Sequence, residues 1–185
     1  IERGLTAASV KRNLSTLRAL VWFACREVGL NPNPSFASVY LPKLESNRPE
    51  RMPIPLATIR TIQDECRQLD DEARWLIALL SDTGMRLSEA LGLQASDIVT
   101  QNGIPSASIQ ESHWRPLKTR SSTRTIPLVG AALWASGRLL ESSDKGFLFP
   151  KYCDGKITKS NSASAALNKW LKPRVPDGCV IHSFR

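Results

Sequence analysis

Four prolines in the window 42–55 divide this chain. Pro42, Pro49, Pro53 and Pro55 are interleaved with Lys43, Arg48 and Arg51. Each proline removes a backbone donor and biases its predecessor toward extended backbone, so a regular helix is forbidden there and an extended path is favoured. The window is read as a linker between residues 1–41 and 56–185.

On either side the apolar residues follow helical periods. Within 6–29, Val10, Leu14, Leu17, Val21, Ala24 and Val28 recur at spacings of four and three, which puts them on one helix face. Thr6 or Ser9 can cap its start, Gly29 can end it, and Asn31-Pro-Asn-Pro34 breaks it. Lys11, Arg12, Arg18 and Arg26 fall on the remaining surface. After the linker, Ile59, Ile62, Cys66 and Leu69 repeat at three and four. Residues 72–82, containing Trp75 to Leu80, are apolar nearly all round, the pattern of a buried helix, and Gly84 can close it in a left-handed turn. A short helix is expected to restart at about Arg86 and run to Leu91. The helical period is lost from 98 to 128, where Ile104–Gln110, His113–Lys118 and Thr123–Leu128 are strand candidates around a Thr119-Arg-Ser-Ser122 turn. Helices return at 129–141 and 158–172. The expected class is α+β, mainly α-helical, with a small antiparallel β-sheet.

Composition narrows the partners. Lysine and arginine exceed aspartate and glutamate by 25 to 17, a net charge of +8, which favours a polyanion, with nucleic acid first. The apolar run Trp75–Leu80 is too short to cross a bilayer, and Ile1-Glu-Arg-Gly4 carries no signal pattern. The cysteines, Cys25, Cys66, Cys153 and Cys179, form no Cys-x-x-Cys pair, and two histidines offer no zinc spacing. Reduced thiols and a cytoplasmic, nucleoid-associated location are expected.

Three segments carry the chemistry. Thr83-Gly-Met-Arg-Leu-Ser-Glu-Ala-Leu-Gly-Leu93, with Asp97-Ile98 beyond it, contains Arg86 at the start of the short helix. Residues 115–128 form a basic hairpin-like stretch with Arg115, Lys118, Arg120 and Arg124. The third is Ile181-His-Ser-Phe-Arg185. Two guanidiniums suit charge growing on a phosphate, because each offers a rigid fork of donors to non-bridging oxygens. If residues 182–185 open a helix, the i, i+3 spacing turns His182 and Arg185 to the same side. Plainer readings stand beside these. Arg86 can be a surface arginine paired with Glu89, and Lys118 a solvated charge or phosphate contact. His182 can be an ordinary half-buried histidine, and His113 beside Trp114 is structural or DNA-facing.

In their order, these segments resemble those of the tyrosine recombinases, the phage integrase family. Residues 83–93 with Asp97-Ile98 resemble the family's first arginine box, 115–128 its catalytic hairpin, and His182-Ser-Phe-Arg185 the start of its His-x-x-Arg box. The helix at 6–29 with its Asn-Pro exit resembles the end of the core-binding domain. The resemblance therefore implies a helical (SAM-like) core-binding remnant at 1–41, a linker at 42–55 and a DNA breaking-rejoining catalytic domain at 56–185. It implies site-specific recombination or integration of double-stranded DNA through a 3′-phosphotyrosyl intermediate, with no metal, no nucleotide cofactor and self-association as a tetramer on DNA. Arg86 and Arg185 match the family's arginines, Lys118 the general acid, and His182 the histidine that assists proton transfer. Glu89 takes a supporting role, holding the site arginine or a nearby strand. Lys11, Arg12, Arg115, Arg120 and Arg124 are the expected DNA contacts.

The family's tyrosine nucleophile has no match here. Tyr40 and Tyr152 both precede His182, and both are read as structural or surface residues. The chain is thus expected to be a catalytic-domain fragment, truncated at its C-terminus, that binds DNA without cleaving it. Two alternatives stay open: a non-catalytic DNA-binding module using the arginine pocket as a phosphate clamp, and a basic helical scaffold that ignores DNA.

Overall fold

The computed structural model describes residues 7–31, 39, 52–117, 122–144 and 146–185. The chain divides into two compact units, Ile1–Pro49 and Glu50–Arg185. In the first, α1 (Ala7–Glu27) is one long helix. It ends where Gly29 takes a φ of 69°. Leu30 N–H then reaches back to Cys25 O at 2.8 Å, and Gly29 N–H to Arg26 O at 3.3 Å. This paired closure uses the orphan carbonyls of the last turn and needs a residue without a Cβ penalty at the reversal. Leu17, Leu20, Trp22 and Phe23 on α1 are each more than half exposed.

In the second unit, Met52 to Pro55 run irregularly into α2 (Leu56–Leu69). Asp70, in a left-handed conformation, ends that helix, and Asp71 begins α3 (Glu72–Thr83) by accepting from Arg74 N–H at 3.0 Å. The stretch Leu76 to Leu80 is buried all round, as its unbroken apolarity predicts, and packs chiefly against α5 (Gly130–Ser142) and α2. Gly84, at φ 58°, closes α3 by donating to Leu80 O. The next helix, α4 (Leu87–Leu91), is short.

A three-stranded antiparallel sheet follows, in the order β1 (Ile98–Gln101), β2 (Ile104–Ile109), β3 (Arg124–Pro127). Gln101 pairs with Ile104 across Asn102-Gly103, whose φ values of 52° and 79° are those of a two-residue hairpin turn. Strand β1 was not among the sequence candidates, although Asn-Gly is the strongest local signal for such a turn. The candidate at His113–Lys118 is corrected. Ser112 and Arg115 exchange backbone hydrogen bonds at 3.2 and 2.9 Å, which makes a tight reversal instead of a strand. The cause is side-chain anchoring: Trp114 packs edge-on against Phe147 and donates to Gly92 O, while Arg115 is drawn inside.

The last helix, α6 (Ser160–Leu171), supports the terminal 3-10 turn Ile181–Phe184, whose Ile181 N–H donates to Asn168 Oδ1 at 2.8 Å. The unit is thus mainly helical with one small sheet. No described helix is long and apolar enough to cross a membrane.

One carboxylate joins three helices of this scaffold. Asp82 accepts from Ala131 N–H at 2.7 Å and Ala132 N–H at 3.2 Å, capping α5, and its other oxygen accepts from Gln63 of α2 at 2.7 Å. Gly130 makes room for it. Its φ is 53°, and a Cβ there would stand 2.8 Å from Asp82 Oδ2. Gly130→Ala therefore combines left-handed strain with a lost cap and is expected to destabilise the unit by about 2 kcal/mol, read as a lower midpoint in urea denaturation.

Candidate phosphate-binding site

Arg86 precedes α4 and Arg185 follows the terminal 3-10 turn, yet both line one open cleft together with His182, Ser183, Met52 and Pro53. The local folding explains the convergence. Gly84 turns the chain out of α3 and so presents Arg86 at the start of α4. Arg185 N–H donates back to His182 O at 3.3 Å, and this i, i+3 closure brings both residues to the same cleft. The turn is fixed by Asn168 of α6 and by Ser183 Oγ, which accepts from Val180 N–H at 3.1 Å.

Behind the cleft lies Glu89, 2% exposed. Its Oε1 accepts from Arg86 Nη1 at 2.6 Å, and its Oε2 accepts from Arg86 backbone N–H and from Arg124 Nη2, both at 2.8 Å. Arg124 Nη1 also donates to Ser122 O at 2.8 Å, and Arg86 Nη1 to Ser122 Oγ at 3.2 Å. A closed ring thus joins the start of α4 to the start of β3. Burial would raise the Glu89 carboxyl, but the hydrogen bonds from Arg124 and Arg86 outweigh it and bring it down from 4.5 to about 2.

The other expected residues fall in different places. Lys118 and Arg120 lie outside the described residues, as does Tyr40. Lys11 and Arg12 are exposed on α1, in the first unit. Arg124 belongs to the Glu89 ring and is not an outlying contact. Arg115, expected on DNA, is corrected. It is 2% exposed and donates to Gly92 O, Gln110 O and Asp97 Oδ2 at 3.0, 2.9 and 2.8 Å. A guanidinium engaged this way ties the hairpin root to the end of α4 and is withdrawn from any phosphate. His113 is exposed with its ring edge-on to Trp114. Tyr152 is buried in the core. Sequence reasoning missed Ser122, 5% exposed between the two site arginines. Its only signal was its position between Lys118 and Arg124 in the basic hairpin.

The Glu89 ring has a pH consequence. The folded value lies below the ordinary one, so its stabilisation is complete above about pH 4.5 and is lost as pH falls toward 2. Removing the carboxylate charge should cost on the order of 3 kcal/mol at neutral pH, because two partly buried guanidiniums lose their partner. In urea denaturation across pH 2 to 7, Glu89→Gln should be less stable than the parent at pH 7, with the gap narrowing below about pH 4.5. A gap that stays constant with pH would contradict the assignment.

Comparison with known proteins gives the lineage. The model of the phage integrase family matches residues 55–185. Tyrosine recombinase XerC of Bacillus pumilus is 34% identical over 98 residues, 52% of this chain and 32% of that protein. Tyrosine recombinase XerD of Proteus mirabilis is 33% identical over 174 residues, 86% of this chain and 50% of that protein. The chain thus spans half or less of these relatives' length. Among solved structures, the Tn1549 transposon integrase in complex with circular intermediate DNA superposes with a TM-score of 0.68 at 18% identity, covering 99% of this chain and 65% of that one. XerA recombinase gives a TM-score of 0.51 at 13% identity, covering 100% of this chain and 60% of that one. These structural likenesses concern the fold. With the family model covering the whole of the mainly helical unit from Pro55 onward, the chain belongs to the phage integrase family, the tyrosine recombinases.

Proposed function

We propose that this chain is the phosphate-handling core of a site-specific DNA recombinase or integrase. The observation that carries the reading is the meeting of Arg86, His182 and Arg185 in one cleft, from segments far apart in sequence within the second unit. Two guanidinium forks facing one phosphate would bind its non-bridging oxygens and stabilise the extra charge of a five-coordinate phosphorus. In the proposed reaction a tyrosine hydroxyl attacks phosphorus and gives up its proton with His182 assisting, while the bond to the 5′ oxygen breaks and that oxygen takes a proton from Lys118. The reverse reaction rejoins the strand. Bond energy is kept in the phosphotyrosyl link, so the scheme calls on neither metal nor nucleotide.

Within these 185 residues Tyr152 is packed in the core, which supports reading it as structural. The chain by itself is therefore proposed to hold DNA without cutting it. The domain reading belongs to the same proposal, with 1–41 as core-binding remnant, 42–55 as linker and 56–185 as catalytic domain. So does self-association on DNA, where another copy or a further segment supplies the tyrosine. The Tn1549 integrase was captured on DNA, and the net charge of +8 here agrees with the same class of partner.

Duplex DNA should bind with an affinity that falls steeply as salt rises. Arg86→Ala and Arg185→Ala should each weaken it and each reduce the salt slope by about 1. A nicked duplex suicide substrate should yield no covalent adduct with the 185 residues and an adduct once a tyrosine-bearing C-terminal segment is joined to them. Adduct formation by the 185 residues alone would overturn the structural reading of Tyr40 and Tyr152. Binding that persists unchanged in Arg86→Ala and Arg185→Ala would remove the cleft from the account. Binding with no adduct from the extended chain on its matched site would favour the non-catalytic clamp.

A further inference from the structure

Arg124 reads in sequence as one more basic residue of the hairpin, yet it makes no simple surface contact. It grips the far side of Glu89 with Nη2 at 2.8 Å and Nη1 at 3.4 Å, and holds Ser122 O at 2.8 Å. Both side-chain hydrogen bonds that Arg86 makes among the described residues leave from Nη1, to Glu89 and to Ser122. Neither uses the Nε–Nη2 edge, which is a fork of the shape that takes two phosphate oxygens.

Charge decides what this arrangement can do. Arg86 and Glu89 alone make a neutral pair, and a carboxylate 2.6 Å from a site guanidinium would oppose an arriving anion. A second guanidinium on the same carboxylate leaves the trio at net +1. It also removes the freedom of Glu89 to close further over Arg86, because both carboxylate oxygens already have partners on the β3 side.

We propose that Arg124 is a positioning residue for Arg86: by holding Glu89 and the Ser122 carbonyl from β3, it keeps the Nε–Nη2 edge of Arg86 set for a phosphate in the cleft. The inference rests on the proposed function, since it assigns how that same cleft is prepared. Arg124 acts through Glu89 and Ser122 and touches no phosphate itself. It differs from Arg115, whose guanidinium is closed inside the fold around Gly92 and Asp97.

The test uses inorganic phosphate as the probe and the Nε–H resonance of Arg86 in the ¹⁵N-labelled 185-residue chain as the readout. Phosphate should shift that resonance in the parent. In Arg124→Gln the apparent affinity should fall about tenfold, and Arg124→Lys, which keeps the charge but loses the fork, should lie between. The Glu89 carboxyl carbon should titrate at higher pH in Arg124→Gln than in the parent. In duplex-DNA titrations, Arg86→Ala combined with Arg124→Gln should cost little more than the worse single change, because both act on one contact. Where Arg124→Gln folds poorly, Arg124→Lys carries the comparison. An unchanged phosphate response at Arg86 with only a lower melting temperature would reduce Arg124 to a structural tie and overturn the proposal. Additive losses in DNA binding would make it an independent phosphate contact and overturn it equally. No response in the parent would instead remove the cleft's phosphate-binding role, a different failure from a parent that responds and a variant that responds just as well.

Discussion

A carboxylate buried between two guanidiniums governs the arrangement of this unit. Glu89 has almost no access to water, and an unpaired charge there would be strongly destabilising. It must therefore be met by Arg86 on its own turn and by Arg124 from the start of β3. Satisfying that one group fixes the register between α4 and β3 more tightly than apolar packing of so short a helix could. The same bonds orient Arg86 at the cleft, so the fold and the candidate chemistry share a single constraint.

Two further polar ties carry that constraint outward. Asp82 locks α2, α3 and α5 together and so sets the end of α3 from which Arg86 departs. Asn168 of α6 receives the first N–H of the terminal turn, which brings His182 and Arg185 to the same cleft. The apolar interior, from Leu76–Leu80 to Leu139, Leu167 and Ile181, supplies the bulk of the burial. The few buried polar contacts decide where the cationic side chains end up.

Local signals in the sequence were read well where one helix or one turn decides the outcome. The period of 59–69, the apolar block at 72–82, the Gly84 closure and the i, i+3 spacing of Arg86 and Glu89 all lie within reach of neighbouring residues. Asn102-Gly103 is an equally local signal, and it sets the hairpin that pairs the first strand of the sheet with the second. Arg115 and Arg124 were not legible. An arginine in a basic stretch reads as surface, and only the fold shows that Asp97 and Gly92 draw one inside while Glu89, 35 positions away, captures the other. Ser122 was hidden for the same reason, since a serine gains meaning only from the two guanidiniums that meet at it.

The proposed function makes one physical claim, that a DNA phosphate sits between Arg86 and Arg185. The most direct measurement is the structure of the 185-residue chain bound to a short duplex. The account predicts a backbone phosphate within hydrogen-bond distance of both guanidiniums, with Glu89 still held by Arg124 behind them. DNA seated elsewhere on the chain, with no phosphate near either arginine, would contradict it.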